Sequence, residues 1–468
     1  MALSSALFSG ISGLGSLGEA MQVIGDNIAN VNTVGFKGST FTFQDLLSQS
    51  IATQAGTSQV GKGTTLSDVY QTFQQGSFET TSSTTDLAIG GDGFFVVREA
   101  ESTTTYLTRA GNFRFDKDGY LVNPEGYVVQ GWELDDDGSD VGSVGDICLD
   151  SFTSSPEASD EIQLIVNLDE GETAAAGTAL EASWDGTDTS SPMGDNSYLY
   201  QSSVKIFDAL GEAHDVTIYF DKTATAHQWE YIVTCHPSED ERTNFSGTAY
   251  AGLLARGTMT FSESSGKIDP TSGITLSTLD NVTPTWAAAD LSEDGYLQFE
   301  PEFINGVNMA VGLNFGSYSD GTTWTNDSLT TTQFTKASTT VFQSASGYGA
   351  GDLQGVNVDV DGVITGIYSN GEVIPLYRVA LSKVVNPTGL KKVGGNLFSV
   401  TRLSGEAPTY HPGTNGCGDI APNSLEQSNV DIANEFVKMI TTQRGFQANG
   451  KIITVTDQML SELINLKR

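Results

Sequence analysis

The longest regular pattern in the chain stands at its start. Leu3, Leu7, Gly10, Leu14, Leu17, Met21, Ile24, Ile28 and Val31 follow one another in steps of four and three, and only Gly10 interrupts the apolar series. That period keeps side chains on one stripe of a helix and suits a helix packed along another. It predicts a helix over 1–32, stopped by Asn30, Asn32 and Gly35 in DNIANVNTVGFK. A second such series closes the chain: Ile432, Phe436, Met439, Gln443, Phe446, Gly450, Ile453, Asp457, Leu460 and Ile464. Ser428 is its expected N-cap, with Asp431 three residues on.

Between the two series the period falls to two. TDLAIGGDGFFVV at 85–97 carries an Asp92-Gly93 turn, and NFRFDKDGYLVNPEGYVVQGW at 112–132 carries turns at Asp118-Gly119 and Glu125-Gly126. Alternation broken by such dipeptides reads as hairpins. SSVKIFDALG followed by HDVTIYF reads the same way, and VNVDVDGVITGIYSNGEVIPLYRVAL reads as a three-stranded meander turning at Asp361-Gly362 and Asn370-Gly371. Residues 38–75, rich in Gly, Ser, Thr and Gln, read as an extended connector.

The expected fold is mixed: an α-helical coiled-coil core formed by both chain termini, with nested, mainly-β outer domains inserted between them. The expected boundaries are 1–33 plus 428–468 for the core and 34–75 for the connector. A β-rich middle domain takes 76–152 plus 346–427, and an inserted outer β domain of one or two subdomains takes 153–345.

Residues 13–18, GLGSLG, match the dinucleotide-binding glycine pattern. That motif needs a strand before it, and the preceding MALSSALFSGIS does not alternate like one. The heptad series runs straight through these glycines, so they belong to a helix. Each costs that helix about 1 kcal/mol relative to Ala, while small residues permit close helix approach. The helix is therefore expected to order only against neighbours.

Charge narrows the classes further. The chain has 58 acidic and 22 basic residues among 468, a net charge of −36, and lacks the basic patches that nucleic acid requires. Cys148, Cys235 and Cys417 are far apart and odd in number, against a disulfide framework or zinc site, although one disulfide stays open. His214, His227, His236 and His411 show no metal-binding spacing. Asp116, Asp118 and Gly119 fall short of a calcium loop and read as a turn, and Asp135, Asp136 and Asp137 read as a solvated acidic turn. No catalytic, cofactor or metal residue is singled out. No apolar run is long enough to cross a membrane, and the first basic residue is Lys37, too late for a secretory n-region. A secreted acidic β-rich adhesin or glycosidase remains the alternative of a different class.

DNIANVNTVGFK at 26–37 resembles the shared N-terminal signature of the bacterial flagellar rod, hook and hook-associated proteins. SNVDIANEFVKMITTQRGFQANGKIITVTDQML at 428–460 resembles the matching C-terminal end. TDLAIGGDGFFVV, LTRAGNFRFDKDGYLVNPEGYVVQGW and NPTGLKKVGGNLF resemble segments shared by rod and hook members. The hook branch fits best, because distal rod members lack so large a middle insertion and junction members lack the GDGFF-type segment; a distal rod or hook-associated member is the nearer alternative.

The resemblance implies a non-enzymatic subunit of a curved, hollow helical tube outside the cell, a universal joint passing motor torque to the filament. It implies self-association along the core seam and family-motif roles for Asn27, Asn30, Asn32, Gly35 and Phe36. It also implies rod, hook-cap and hook–filament junction proteins as partners, and passage through the flagellar type III export apparatus without signal cleavage.

Overall fold

The computed structural model describes residues 2–46, 49–53, 56–100, 102–135, 137–149, 152–175, 179–279, 285–304 and 306–465. Two long helices stand at the ends of the chain, α1 at Ala2–Ala29 and α2 at Ile432–Asn465, and strands fill most of the sequence between them. Contacts divide the chain into two units. One comprises 1–152, 353–367 and 373–468; the other comprises 153–352 and 368–372.

In the first unit an antiparallel sheet runs in the order Val363–Tyr368, Val373–Val379, Tyr127–Leu134, Phe94–Glu99, Thr105–Thr108, Leu397–Ser399, Lys391–Gly394. Strands from before and after the insertion interleave, so neither half completes the sheet alone. Alternation along Phe94–Glu99 explains its burial on both faces. Phe95 and Val97 join Leu87, Phe113, Val129, Ile364 and Val379 in one core. Phe94 and Val96 join Leu107, Leu390 and Phe398 in another. Phe73 closes the second core edge-on, 5.4 Å from Phe94 and 5.5 Å from Phe398.

The expected hairpins form at Asp118-Gly119, Glu125-Gly126 and Asn370-Gly371. None forms at Asp92-Gly93, because Leu87–Gly90 pairs with Asp419–Pro422 while Phe94–Glu99 pairs with Thr105–Thr108 and Tyr127–Leu134. Leu121–Val122 pairs with Arg114–Phe115 across Asp118-Gly119. Gly119 sits at φ 86°, and a Cβ there would lie 2.3 Å from the Leu149 carbonyl oxygen, so glycine is required. Asp116 Oδ1 accepts from the backbone N–H groups of Asp118 and Tyr120, which is a turn and not a calcium loop.

Within 38–75, read as an extended connector, two extended segments pair as a ribbon. Ser39–Asp45 pairs antiparallel with Thr64–Gln71, because Thr-Phe alternation on one strand meets Thr, Leu, Val and Tyr on the other. This ribbon packs on α1, with the Ser16 and Thr64 hydroxyls 3.2 Å apart.

Among the described residues the second unit holds two larger sheets and a two-stranded ribbon of Ser317–Ser319 with Trp324–Asn326. Six strands form an antiparallel meander that begins with Tyr200–Phe207 and Ala213–Lys222, paired from Tyr200↔Phe220 to Phe207↔Ala213 as the alternation predicts. Glu161–Asp169 is central to a five-stranded sheet and pairs parallel with Val311–Asn314 and Thr332–Phe334. Val204, Val216, Phe220, Trp229, Ile162 and Leu164 share the core between the sheets. Cys148, Cys235 and Cys417 are buried, and no two of them are bonded to each other. Among the described residues no cluster of His, Cys, Asp and Glu could hold a metal ion, and no helix is long and apolar enough to cross a membrane.

The paired chain ends as candidate assembly site

α1 is continuous through Gly13, Gly15 and Gly18, so GLGSLG is helical and forms no phosphate loop. It packs antiparallel along α2. The buried stripe of α1 is Gly10, Gly13, Ser16, Ala20, Ile24 and Asn27, in steps of three and four. Small residues let the axes approach. A Cβ on Gly10 would meet Ile453 Cγ1 at 3.2 Å, one on Gly13 would meet Asn449 Nδ2 at 2.9 Å, and one on Gly445 would meet Leu17 Cδ1 at 3.1 Å. On α2 the opposing residues are largely polar: Glu435, Thr442 and Thr456 are buried, while Met439, Asn449 and Ile453 are half-buried.

The apolar series lies beside this stripe. Leu7, Leu14, Leu17, Met21 and Ile28 are half-buried, and Ile24 alone among them is fully buried. Val31 falls beyond the end of α1, in the turn that follows it. On α2, Ile432, Phe436, Phe446 and Leu460 are exposed, together with Val437, Ile440, Ile452, Val455 and Met459. The side chains of Leu3 and Ile464 lie outside the described residues. The N-cap of α2 is Asp431, not Ser428: Asp431 Oδ1 accepts from Ala433 N at 2.8 Å and sits one residue before the first helical position.

At the root of the helices the Asn-rich motif does specific work. Asn27 Nδ2 donates to Ser39 O at 2.8 Å and to Glu435 Oε2 at 3.3 Å, and Asn27 Oδ1 accepts from Ser39 N at 2.8 Å. One side chain thereby ties α1, the ribbon and α2 together. Asn30 Nδ2 satisfies Asp26 O at 2.9 Å at the helix end, while Asn32 is exposed. Gly35 has φ 68°, and its missing Cβ would lie 2.5 Å from Ala110 N. Phe36 is buried beneath Lys392 Nζ, 4.6 Å from the ring centroid. A cleft of about 280 Å³ opens between Asn27, Thr72, Asn429, Asp431 and Lys438.

The lysine that ends the motif belongs to a buried charge cluster. Lys37 Nζ is 2.7 Å from Glu426 Oε1 and donates to Gln74 O at 2.9 Å. Arg109 NH1 approaches Glu426 Oε2 at 3.4 Å, and Gly76 N donates to Glu426 Oε1 at 2.8 Å. Burial pushes both Lys37 and Arg109 below their ordinary pKa, and the Glu426 charge and hydrogen bonds oppose that drop without cancelling it. Glu426 joins the approach to α2, the exit from α1 and the β sheet. The sequence pattern did not single out this trio; its one signal was the lysine that closes the motif in a chain poor in bases.

Comparison with known proteins places this arrangement. Family models match in chain order: flagella basal body rod protein at 7–37, flagellar hook protein FlgE/F/G D1 domain at 88–167, flagellar basal body protein FlaE D2 domain at 167–348, and flagellar basal body rod FlgEFG protein C-terminal at 421–466. The flagellar hook protein FlgE of Borreliella burgdorferi is 33% identical over 99% of both chains. That of Treponema pallidum is 32% identical over 99% of both, and that of Salmonella typhimurium 28% over 98% of both. With relatives of this identity aligned end to end, the chain belongs to the flagellar hook protein family.

Proposed function

We propose that this hook subunit polymerises through α1 and α2, which form a coiled-coil core lining a curved, hollow tube with the β units outside. The observation that carries the reading is the uncovered apolar face of α2. Its partner α1 covers mainly Glu435, Thr442, Asn449 and Thr456, while Phe436 and Phe446 stay 46% and 44% exposed. Fully burying one such side chain contributes about 1.5–3 kcal/mol, so a helix with nine of them exposed gains strongly from cover. Neighbouring copies supply it. A head-to-tail contact that does not close into a ring makes an open helical tube.

In this reading residues 1–33 plus 428–468 are the core, 76–152 plus 346–427 a middle layer, and 153–345 an outer domain. The tube transmits motor torque to the filament as a universal joint, and the role is structural rather than catalytic. Its other partners in this reading are rod, hook-cap and junction proteins, and the subunit reaches the flagellum through the type III export apparatus; family membership supports the self-assembly on which this rests.

The test is electron microscopy with sedimentation on the full chain and on Phe436→Ser/Phe446→Ser. The parent should form hollow tubes. The variant should stay monomeric with the unfolding transition of its β units unchanged. Tubes from both at the same concentration would remove the basis of the reading.

A further inference from the structure

Residues 383–403 read KVVNPTGLKKVGGNLFSVTRL. In a chain of net charge −36, this stretch holds Lys383, Lys391, Lys392 and Arg402 and not one acidic residue. It also presents Val385 and Leu403, whose exposures of 92% and 78% are the highest of any large apolar side chain among the described residues.

The backbone beneath these two side chains is fixed. Asn386 N donates to Ser404 O and Asn386 Nδ2 to Leu403 O, each at 3.2 Å. Thr401 Oγ1 donates to Gly389 O at 2.6 Å, and Thr401 N donates to Ser404 Oγ at 2.9 Å. Two turns are thus laced together, with Val385 on one and Leu403 on the other. A contact made there costs little further ordering of backbone.

The four cations divide in two. Lys383 Nζ donates to Gly416 O at 2.7 Å and lies 3.2 Å from Asp92. Lys392 lies 3.6 Å from Asp26 and over Phe36. Lys391 and Arg402 are exposed and form no ion pair among the described residues. Lys391 begins the last strand of the sheet, and lysines on such an edge commonly prevent edge-to-edge pairing. That explanation covers Lys391 alone. An edge built only to repel would not carry the two most exposed aliphatic side chains beside it.

We propose that this segment docks on an acidic face of a second copy of the chain, covering Val385 and Leu403 and pairing Lys391 and Arg402 with carboxylates. Charge selects the occupant. Residues 153–345 alone carry 28 acidic and 6 basic residues, so every neighbouring copy offers acidic surface. A small basic and apolar patch on an otherwise acidic subunit gives two like-charged copies one orientation in which they attract. The inference rests on the polymer reading above.

The test begins with tubes assembled from an equal mixture of nitrogen-isotope-labelled and unlabelled chain. They are treated with a carbodiimide, which joins a lysine amine to a touching carboxylate. Mixed-isotope peptides linking Lys391 to an Asp or Glu are expected in tubes and absent from monomer. Val385→Ser/Leu403→Ser and Lys391→Glu/Arg402→Glu change only exposed side chains. Each should keep the parent's thermal unfolding and raise the concentration needed for assembly about tenfold. Linkage of Lys391 only within one chain, or assembly of both variants at the parent's concentration, would overturn the proposal while leaving the polymer reading intact. Linkage in isolated hooks to a different protein would also overturn it, by replacing the occupant. Failure of the unaltered chain to form tubes would sink both readings.

Discussion

Glu426 is the residue on which the junction between helices and sheet depends. It neutralises two buried cations at once, and removing it leaves both without their carboxylate. Glu426→Gln should therefore lower stability by about 3–5 kcal/mol, seen as a shift in the urea midpoint of the first unit. Replacing Lys37, Arg109 and Glu426 together with apolar residues should restore much of that loss, because no unpaired charge then remains. Asp146 supplies a pH-dependent counterpart. Burial acts to raise its pKa, but hydrogen bonds from Arg98 and Gln130 and the Arg98 charge outweigh burial and hold it below the usual carboxylate range. A folded value below the unfolded one, about 3.9, gives stability that is fully present above that pH and is lost as pH falls through the folded value. Asp146→Asn should flatten the acid limb of the stability curve and cost about 0.5–1 kcal/mol at neutral pH. An unchanged acid limb would show that this pair contributes nothing to it.

α1 is a helix as its four-three step predicts, and its contact with α2 inside one subunit falls one residue away from the apolar series. The helix stops at the expected asparagines. Within one subunit the leucines flank the contact with α2, because Gly10, Gly13 and Ala20 bring the two backbones closer than a leucine layer permits. Hydrophobicity alone ranks glycine and serine as neutral, so the small-residue stripe left no apolar signal. The polar face of α2 was hidden for the same reason, as Thr442 and Asn449 look like surface positions in a sequence. The hairpins at Asp118-Gly119 and Asn370-Gly371 were legible because such dipeptides dictate backbone geometry locally, whereas Asp92-Gly93 misled because Leu87–Gly90 finds its partner far along the chain in Asp419–Pro422. The Lys37–Arg109–Glu426 cluster was not, since its members lie up to 389 residues apart and only the tertiary fold joins them. The glycines themselves separate into two kinds. A Cβ on Gly15 or Gly18 meets nothing within 4 Å, whereas one on Gly13 meets Asn449. Gly15→Ala and Gly18→Ala should each raise helix stability by about 1 kcal/mol and increase the helical circular dichroism of the monomer. Gly13→Leu, despite its better helix propensity, should part α1 from α2 and speed amide exchange in 432–456. Equal responses at all three positions would show that α2 does not discriminate between them.

At the scale of the molecule, assembly has to overcome a charge of −36 on every copy. Between separated subunits that repulsion acts over the Debye length, about 30 Å at 0.01 M salt and about 8 Å at 0.15 M. Apolar burial on α2 is short-ranged and hardly screened by salt, and ion pairs closed within a contact are screened less than charges facing each other across solvent. Raising salt over this range therefore weakens the opposing force more than the favourable ones. The concentration at which tubes pellet in sedimentation should fall as salt rises, and it should level off once the screening length is shorter than the gap between approaching subunits. The Lys391→Glu/Arg402→Glu variant adds repulsion at one contact, so its curve should lie above the parent's at every salt and converge toward it as screening grows. If the parent instead needs a higher concentration at higher salt, then attraction between opposite charges, not cover for the apolar face of α2, is the main force holding the subunits together.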